Sequence, residues 1–348
     1  MSNLPPDPRS ISVVGHRRKA SPTSGGRGTH DTAEGPRWKR RLFWLATIIG
    51  VMGIAFIALT ALVAWTSWRG VSRVDLSSAM SPSANGTNYL IVGTDSRAGI
   101  SADQPNAGAI VGEKVSGERT DSIGVLHIGS DGARLLAIPR DLYLHLDGGS
   151  TNRVNAAFYF GGPESLVRTI QTELGIGIDH YLQVDLAGFL GLVDALGGIT
   201  VDIPNPAYDL GSGLHIETSG PIQLDGDTAL AYVRARHYVE IIDGKEVRDP
   251  TSDLGRVKRQ QQFLAAVFAK MGHTKSPLTL LGVVRGVSDN VKVDDSMTFR
   301  DAAHLGLTLR GLQPETATLP TRPFTTDSGA QVLLLRQDEA ETMLAAFR

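Results

Sequence analysis

Residues 119–143 read RTDSIGVLHIGSDGARLLAIPRDLY, and this stretch contains two apolar runs separated by a turn. The runs are residues 123–128 and 134–138, which have the length and composition of β-strands. Between them, Gly129-Ser130-Asp131-Gly132 supplies the small and polar residues that a tight turn needs. We therefore predict an antiparallel hairpin whose open end carries charged residues on both strands.

Strand-like and helix-like runs alternate on both sides of this hairpin, from residue 87 to residue 348. This alternation indicates one α/β domain of about 260 residues with a covered sheet, and the hairpin makes that sheet mixed. Residues 98–117 form a polar, glycine-rich loop of a kind that is often functional. The other predicted strands are 89–92, 180–184 and 199–203, and the predicted helices are 163–174, 186–196, 228–233, 254–271, 277–287, 299–309 and 339–347.

One long apolar segment precedes the α/β block. Residues 42–68 read LFWLATIIGVMGIAFIALTALVAWTSW and carry no charge. A helix of this length reaches roughly 40 Å, enough to cross a hydrocarbon core of about 30 Å. Trp44, Trp65 and Trp68 lie near its ends, where indole rings favour the membrane interface. We predict a transmembrane helix, because a buried core helix of this length normally has a polar stripe.

The charge distribution predicts the orientation of this helix. Residues 1–41 contain nine basic and three acidic side chains, and Lys39-Arg40-Arg41 adjoins the apolar segment. The positive-inside rule therefore places this tail, which its composition predicts to be disordered, in the cytoplasm. The apolar run is too long for a cleaved signal peptide and no small-residue cleavage site follows it. We predict an uncleaved anchor, a short linker at 69–86 and an extracytoplasmic domain at 87–348.

The composition of the remainder excludes some classes of function. The totals of 34 basic and 36 acidic side chains leave 25 basic and 33 acidic ones beyond residue 41, a net charge of about −8. An acidic domain argues against a nucleic-acid surface, which needs a basic face. The sequence has no cysteine, so disulfides and thiolate metal sites are excluded.

Two aspartates adjoin strands that are neighbours in the sequence. Asp95 follows the apolar run 89–92, and Asp121 precedes the run 123–128. If these strands pair antiparallel, the two carboxylates meet at one edge of the sheet, where they repel unless a cation or proton intervenes. Mg²⁺ commonly takes one or two protein carboxylates together with phosphate oxygens. The alternative, from spacing alone, is a pair of turn-capping aspartates.

Arg140 closes the second strand of the hairpin and should reach the same edge as these carboxylates. Asp141, which follows it in the sequence, is positioned to orient its guanidinium group. An ordinary surface ion pair would give the same local pattern.

Further arginines follow the predicted helix 228–233 or lie in the first turns of the predicted helix 254–271. Arg234 and Arg236 are two residues apart, so they share a target only if the chain is extended there. Arg256, Arg259 and Gln260 share one helical face, which continues as a core-facing stripe: Phe263, Leu264, Val267, Phe268 and Met271. Converging arginines suit pyrophosphate, which guanidinium groups bind in a bidentate manner. Scattered surface arginines remain the alternative.

Six segments, in order, resemble the LytR-CpsA-Psr family of membrane-anchored proteins of bacterial envelopes. They are NYLIVGTDSR (88–97), RTDS (119–122), LLAIPRDLY (135–143), RVNAAFYFGG (153–162), DGDTALAYVRAR (225–236) and DLGRVKRQQQ (253–262). Ser122 stands where threonine is commoner in the family, and Leu254 replaces a usual phenylalanine. Neither departure removes a charge.

The resemblance implies a fold, a cofactor and a set of site residues. The fold is a three-layer α/β/α sandwich with a mixed central sheet, and the cofactor is Mg²⁺. Asp95 and Asp121 match the metal-associated carboxylates, and Arg140 matches the residue most implicated in catalysis. The positions around the pyrophosphate are matched by Arg119, Arg140, Arg234, Arg236, Arg256 and Gln260.

The resemblance also implies an activity, the transfer of a glycopolymer from a polyprenyl pyrophosphate carrier to peptidoglycan. The implied partners are the lipid-linked glycan donor, the peptidoglycan acceptor and membrane lipid, with no nucleic acid. Two alternatives stay open: a pyrophosphatase, in which water replaces the acceptor, and a non-catalytic module that binds wall polymer or lipid. A transcriptional regulator would need a helix-turn-helix, for which the tail of 41 residues has no apolar periodicity.

Overall fold

The computed structural model describes residues 37–96, 120–250, 253–274, 276–309 and 314–348. Most of the tail predicted to be disordered, the loop predicted at 98–117 and Arg119 lie outside these ranges. The chain divides into two compact units, one ending at Ile54 and one comprising Ala55–Arg348.

The first helix, α1 (Arg37–Gly70), includes the segment predicted to cross a membrane. Within it, Val51–Gly70 is long and apolar enough to do so, judged by length and composition.

The secondary structure of the second unit alternates as the sequence predicts. The strands are β1 (Ser72–Val74), β2 (Thr87–Thr94), β3 (Thr120–Gly129), β4 (Gly132–Ile138), β5 (Tyr143–His145), β6 (Thr151–Arg153), β7 (His180–Val184), β8 (Ile199–Ile203), β9 (Ala207–Asp209), β10 (Leu214–Ile216), β11 (Gly220–Leu224), β12 (Val239–Ile242), β13 (Lys245–Arg248), β14 (Val291–Asp294), β15 (Glu315–Thr318), β16 (Thr321–Thr325) and β17 (Gln331–Leu335). The helices are α2 (Val154–Leu174), α3 (Leu186–Ala195), α4 (Gly226–Arg234), α5 (Asp253–His273), α6 (Pro277–Ser288), α7 (Phe299–Thr308) and α8 (Gln337–Leu344), followed by a 3-10 turn at Ala345–Phe347.

A seven-stranded sheet with the order β1-β14-β7-β2-β3-β4-β15 forms the centre of this unit. The predicted hairpin is confirmed, because β3 and β4 pair antiparallel and Gly129 faces Gly132 across the turn. Strand β2 pairs antiparallel with β3 and parallel with β7. The sheet is therefore mixed, as predicted.

Both faces of the sheet are covered. Successive side chains of a strand point to opposite faces, so the central strands contribute to a hydrophobic cluster on each side. One face packs on α2 through a cluster that includes Leu90, Val92, Leu136, Leu166 and Ile170. The other face packs on α5 and α7 through a cluster that includes Tyr89, Leu126, Leu135, Phe268 and Leu305. These layers confirm the α/β/α arrangement.

A second hydrophobic core lies beside the central sheet. It joins β8, β11, α3, α4 and α5 through a cluster that includes Val193, Val201, Leu224, Tyr232 and Phe263. Helix α5 contributes to both cores, since Phe263 belongs to one and Phe268 to the other.

Two segments differ from the prediction. Residues 69–86 contain β1, which pairs with β14 at the edge of the central sheet, and Leu76 is fully buried. The polar composition of this segment predicts a linker, but its few apolar residues pack on partners from distant parts of the chain. Helix α2 consists of two helical segments separated by a kink at Gly162 (φ 65°, ψ −159°). The second segment is the helix predicted at 163–174, and the first, which starts at Val154, is not predicted from the sequence.

Candidate active site

The two predicted carboxylates lie at the same end of the β2–β3 pair. Gly93 pairs with Ser122 and Thr94 pairs with Thr120, so Asp121 is the extra residue of a β-bulge. A bulge increases the local twist and changes the direction of the side chain it carries. Asp95 directly follows β2 at this end. We call this end of the sheet, formed by the C-terminal ends of β2 and β4 and the N-terminal end of β3, the Asp121 edge.

Arg140 reaches the Asp121 edge from β4. Its Nη1 donates a hydrogen bond of 2.8 Å to Asp121 Oδ1. The side chain of Arg140 is 19% exposed, whereas that of Asp121 is 44% exposed, so the pair opens to solvent on the carboxylate side. The hairpin places this arginine beside the carboxylate, as the sequence predicts.

Arg140 forms a second ion pair, with Asp141. Asp141 Oδ2 lies 3.5 Å from Arg140 Nε, and Asp141 Oδ1 lies 3.3 Å from Arg153 Nε. Arg153 also donates a hydrogen bond of 2.8 Å to the carbonyl oxygen of Gln331. Asp141 thus contacts Arg140 as expected, and Arg153, which the sequence shows only as the first letter of the 153–162 motif, holds the other oxygen of Asp141.

Two buried threonines beside the bulge have unsatisfied hydroxyl groups. Thr94 is 2% exposed and Thr120 is fully buried, and neither Oγ1 makes a hydrogen bond in the part of the chain that the structure describes. Leaving a buried hydroxyl unpaired costs about 1–3 kcal/mol. Such a cost calls for an explanation, and a ligand that completes the pairing would provide one.

The residues at this edge fit a divalent cation bound together with a phosphate group. Asp95 and Asp121 provide carboxylates at adjacent strand ends, which is the small protein contribution that Mg²⁺ usually takes. Among the described residues, no group of three or more histidine or acidic side chains forms a metal site without such a ligand. If such a cation binds here, Asp95 and Asp121 would be its protein ligands, and phosphate oxygens would complete the shell.

The second group of predicted residues lies where α4 meets α5. Helix α4 ends at Arg234, and Ala235 has φ −58° and ψ 120°, so the chain is extended between Arg234 and Arg236. This is the conformation in which the two arginines can share a target. Arg256, in the first turn of α5, is 6% exposed.

Helix α5 connects this group to the Asp121 edge. Gln260 Nε2 donates a hydrogen bond of 3.2 Å to the carbonyl oxygen of Val233, one residue before Arg234. The next residue, Gln261, bonds to Thr318 of β15. Thr318 pairs with Ala137 of β4, three residues before Arg140. The N-terminal half of α5 thus lies at the end of the sheet where Arg140 emerges.

The tyrosines next to these arginines are unsuited to act as general bases. Burial raises the pKa of Tyr232 to about 12. Burial also raises the pKa of Tyr238, and its neighbours Tyr232 and Glu240 raise it further. Both phenols are therefore protonated at neutral pH.

The structure brings together Asp95, Asp121 and Arg140 at one edge and holds the α4–α5 group at the same end of the sheet. Arg119 lies outside the described residues. Thr94 and Thr120 were not among the site residues predicted from the sequence. The available signal was their position, since each directly precedes a predicted site aspartate. Together these features define an α/β protein that gathers carboxylates and arginines at one end of a mixed central sheet.

Comparison with known proteins gives the family. The sequence model of the LytR_cpsA_psr family matches residues 67–348, and the chain therefore belongs to the LytR-CpsA-Psr family. The probable cell wall biosynthesis protein LcpB of Corynebacterium glutamicum is 32% identical over 283 residues, which are 80% of this chain and 65% of that protein. This chain thus spans slightly less than two thirds of the length of LcpB.

Two further proteins show the same relationship. The polyisoprenyl-teichoic acid–peptidoglycan teichoic acid transferase TagU of Bacillus mycoides is 33% identical over 263 residues, which are 74% of this chain and 79% of that protein. A solved structure of a LytR-Csp2A-Psr enzyme from Actinomyces oris superimposes with a TM-score of 0.64 and 28% identity, covering 80% of this chain and 95% of that one.

Proposed function

We propose that this protein is a Mg²⁺-dependent phosphotransferase that moves a glycopolymer from a polyprenyl pyrophosphate carrier to peptidoglycan. The observation that carries the proposal is the contact of Arg140 with Asp121 on a β-bulge, beside two unsatisfied threonine hydroxyls. The names of the relatives LcpB and TagU, in cell wall biosynthesis and teichoic acid transfer, support the substrate class.

The reaction breaks the phosphoanhydride bond of the carrier and forms a phosphodiester with the acceptor, and the proton of the acceptor hydroxyl is released to water. A hydroxyl oxygen of the acceptor attacks the phosphorus that carries the glycan, and the bond from this phosphorus to the bridging oxygen breaks. Polyprenyl phosphate leaves with the electron pair of that bond. Negative charge therefore grows on the leaving phosphate, where preorganised positive groups lower the barrier most.

The residues of this chain divide that work between them. Arg140, held by Asp121 and Asp141, faces the phosphoryl group that is transferred, while Arg119, Arg234, Arg236, Arg256 and Gln260 bind the pyrophosphate. Asp95 and Asp121 would hold Mg²⁺. The ion would neutralise phosphate charge and orient the reacting oxygens. No general base is assigned, since an aspartate that binds a metal is a poor proton acceptor.

The proposed location is the outer face of the cytoplasmic membrane, with α1 as the anchor. The length and composition of Val51–Gly70 support a membrane span, and the basic tail supports a cytoplasmic N-terminus. We expect a reporter that is active only outside the cytoplasm to be active when fused after Arg348. A stable fusion without activity would contradict the orientation.

Arg140→Lys tests the proposed chemistry. Lysine keeps the charge but lacks the planar fork that can contact two oxygens. We expect turnover to fall at least ~100-fold, because loss of one preorganised donor typically costs about 10²–10³ in rate. The affinity for a polyprenyl pyrophosphate glycan should stay within about fivefold of wild type, since the other arginines still bind it. Single-turnover transfer and a binding titration measure the two quantities.

A matched control comes from the same strand. Arg134 of β4 lies at the turn of the hairpin and pairs with Asp131 at 2.7 Å, so Arg134→Lys should leave both quantities unchanged. Weak binding with normal turnover in Arg140→Lys would make Arg140 a docking residue. Wild-type values for both would contradict the mechanism. Release of free glycan phosphate, with no glycan joined to peptidoglycan, would indicate a pyrophosphatase.

A further inference from the structure

Arg234 is the last residue of α4, and Arg236 lies on the short connection without regular secondary structure that follows it. Residues 235–238 link the end of α4 to the start of β12. Arg236 projects from this connection and is exposed. A guanidinium group can bind pyrophosphate with a defined geometry only if the main chain that carries it is held in place.

Arg259 of α5 holds one side of this connection. Its Nη2 donates a hydrogen bond of 2.7 Å to the carbonyl oxygen of Ala235. Its Nη1 donates to Asp249 Oδ2 at 3.0 Å, and the guanidinium carbon lies 4.3 Å from the centre of the Tyr238 ring. With 7% exposure, this arginine is directed into the protein and away from solvent.

Asp209, the last residue of β9, holds the other side. Its Oδ2 accepts a hydrogen bond of 2.7 Å from the main-chain N–H of His237. Its Oδ1 accepts a hydrogen bond of 2.7 Å from the N–H of Gly211. The side chain is 1% exposed, and each of its oxygens is bonded to main chain.

The two contacts hold the peptide units on either side of Arg236. The carbonyl of Ala235 belongs to the peptide unit before the Cα atom of Arg236, and the N–H of His237 belongs to the peptide unit after it. Both peptide units are therefore bonded to a buried charged side chain. Hydrogen bonds to charged groups are roughly twice as strong as neutral ones, so the connection is held more firmly than a neutral pair would hold it.

We propose that Asp209 and Arg259 are positioning residues that hold the main chain on both sides of Arg236, so that Arg234 and Arg236 face the pyrophosphate group of the substrate. We call this pair the Asp209–Arg259 clamp. The proposal deepens the proposed function and rests on it for the identity of the ligand. Neither residue contacts substrate; each acts through the two arginines.

The clamp is tested with inorganic pyrophosphate as the probe and with the full chain in detergent. Asp209→Asn keeps the shape of the side chain but replaces one acceptor oxygen by an NH₂ group, and Arg259→Lys keeps the charge but cannot contact Ala235 and Asp249 together. We expect each variant to bind pyrophosphate about tenfold more weakly in calorimetry. The double variant should lose little more than the worse single variant, because both residues hold the same segment.

Hydrogen exchange and a stability control separate positioning from general destabilisation. The N–H of His237 should exchange faster in Asp209→Asn than in the wild type. Asp225→Ala removes the N-cap of α4, which accepts from the N–H of Thr228 at 2.9 Å, and should lower the Tm without changing pyrophosphate affinity. An equal loss of affinity in Asp225→Ala would overturn the clamp.

The outcomes also distinguish the clamp from the proposed function. If the wild type transfers glycan and both folded clamp variants bind pyrophosphate as tightly as the wild type, the clamp is wrong and the function stands. If the wild type binds pyrophosphate but transfers no glycan, and the clamp variants bind it about tenfold more weakly, the clamp stands and the function is wrong. Arg259→Lys keeps the test decisive if Asp209→Asn fails to fold.

Discussion

Both ends of the central sheet carry buried polar residues, but the two ends differ in whether these residues are hydrogen-bonded within the protein. At the Asp121 edge, the hydroxyls of Thr94 and Thr120 are buried without a hydrogen bond among the described residues, and the Asp121 side chain is 44% exposed. At the opposite end, which we call the Asp294 end, Asp294 is fully buried. There its carboxylate accepts from the N–H of Tyr181 at 2.9 Å and lies 3.3 Å from His180 Nδ1.

The pKa shifts at the Asp294 end agree with a paired, structural role. Burial opposes the charge on each partner and is the largest single contribution, but the hydrogen bonds and neighbouring charges together outweigh it. The pKa of His180 is therefore raised, and the nearby carboxylates Asp301 and Asp179 add to this. The pKa of Asp294 is lowered, with further hydrogen bonds from Ser296 and Tyr181.

Next to this pair, other polar groups are also paired within the protein. Asp179 Oδ2 accepts from the N–H of Asn88 at 2.7 Å, and Asn88 Oδ1 lies 2.8 Å from His127 Nδ1. Burial lowers the pKa of His127. The charges of Asp131 and Asp179 oppose this shift and the charge of Arg134 adds to it, and the net shift of the pKa is downward. A network whose members bond to one another holds the fold together, whereas incomplete pairing indicates a place for a ligand.

The largest expected effect tests the role of the Asp121 edge. Replacing Asp95 and Asp121 together by alanine should lower Mg²⁺-dependent glycan transfer by at least ~10³-fold, because both proposed metal carboxylates are lost. Circular dichroism should show an unchanged fold, since both residues lie at a strand end. Calorimetry in the presence of substrate should show loss of Mg²⁺ binding; unchanged Mg²⁺ affinity would rule out this pair as the metal site.

A smaller effect is expected at the Asp294 end, where a substitution should lower stability rather than turnover. Asp294→Ala leaves His180 and the N–H of Tyr181 without their acceptor, so we expect a loss of about 3 kcal/mol in the free energy of unfolding. Glycan transfer per folded molecule should stay at the wild-type value. Urea unfolding and transfer assays at matched folded fractions give both numbers, and a loss of turnover without a loss of stability would reverse the roles of the two ends.

The smallest expected effect comes from removing one buried threonine hydroxyl, either an unsatisfied one or a hydrogen-bonded one. Thr120→Val removes an unsatisfied hydroxyl and should raise the free energy of unfolding by about 1 kcal/mol, while slowing transfer about tenfold if the hydroxyl contacts the ligand. The control is Thr169→Val on α2, where the hydroxyl accepts from the N–H of Asp147 at 3.0 Å. That change should instead cost about 1 kcal/mol of stability and leave transfer unchanged. Equal stability changes in the two variants would show that the Thr120 hydroxyl is satisfied in solution.

Local sequence patterns determined most of the secondary structure and the general position of the site. The strands at 180–184 and 199–203 were predicted with the bounds that the structure has, because apolar alternation and turn residues act on neighbours along the chain. The hairpin followed from its glycine-rich turn for the same reason. It also placed Arg140 at the edge that carries Asp121.

Tertiary structure alone decided how those residues are held. The bulge at Asp121 depends on the register of β2 against β3. The clamp joins Asp209 and Arg259 to a connection that lies between them in the sequence. His180 and Asp294 are separated by 114 positions. Contacts of this kind form only when the packed core brings distant segments together, so no periodicity or motif along the chain reports them.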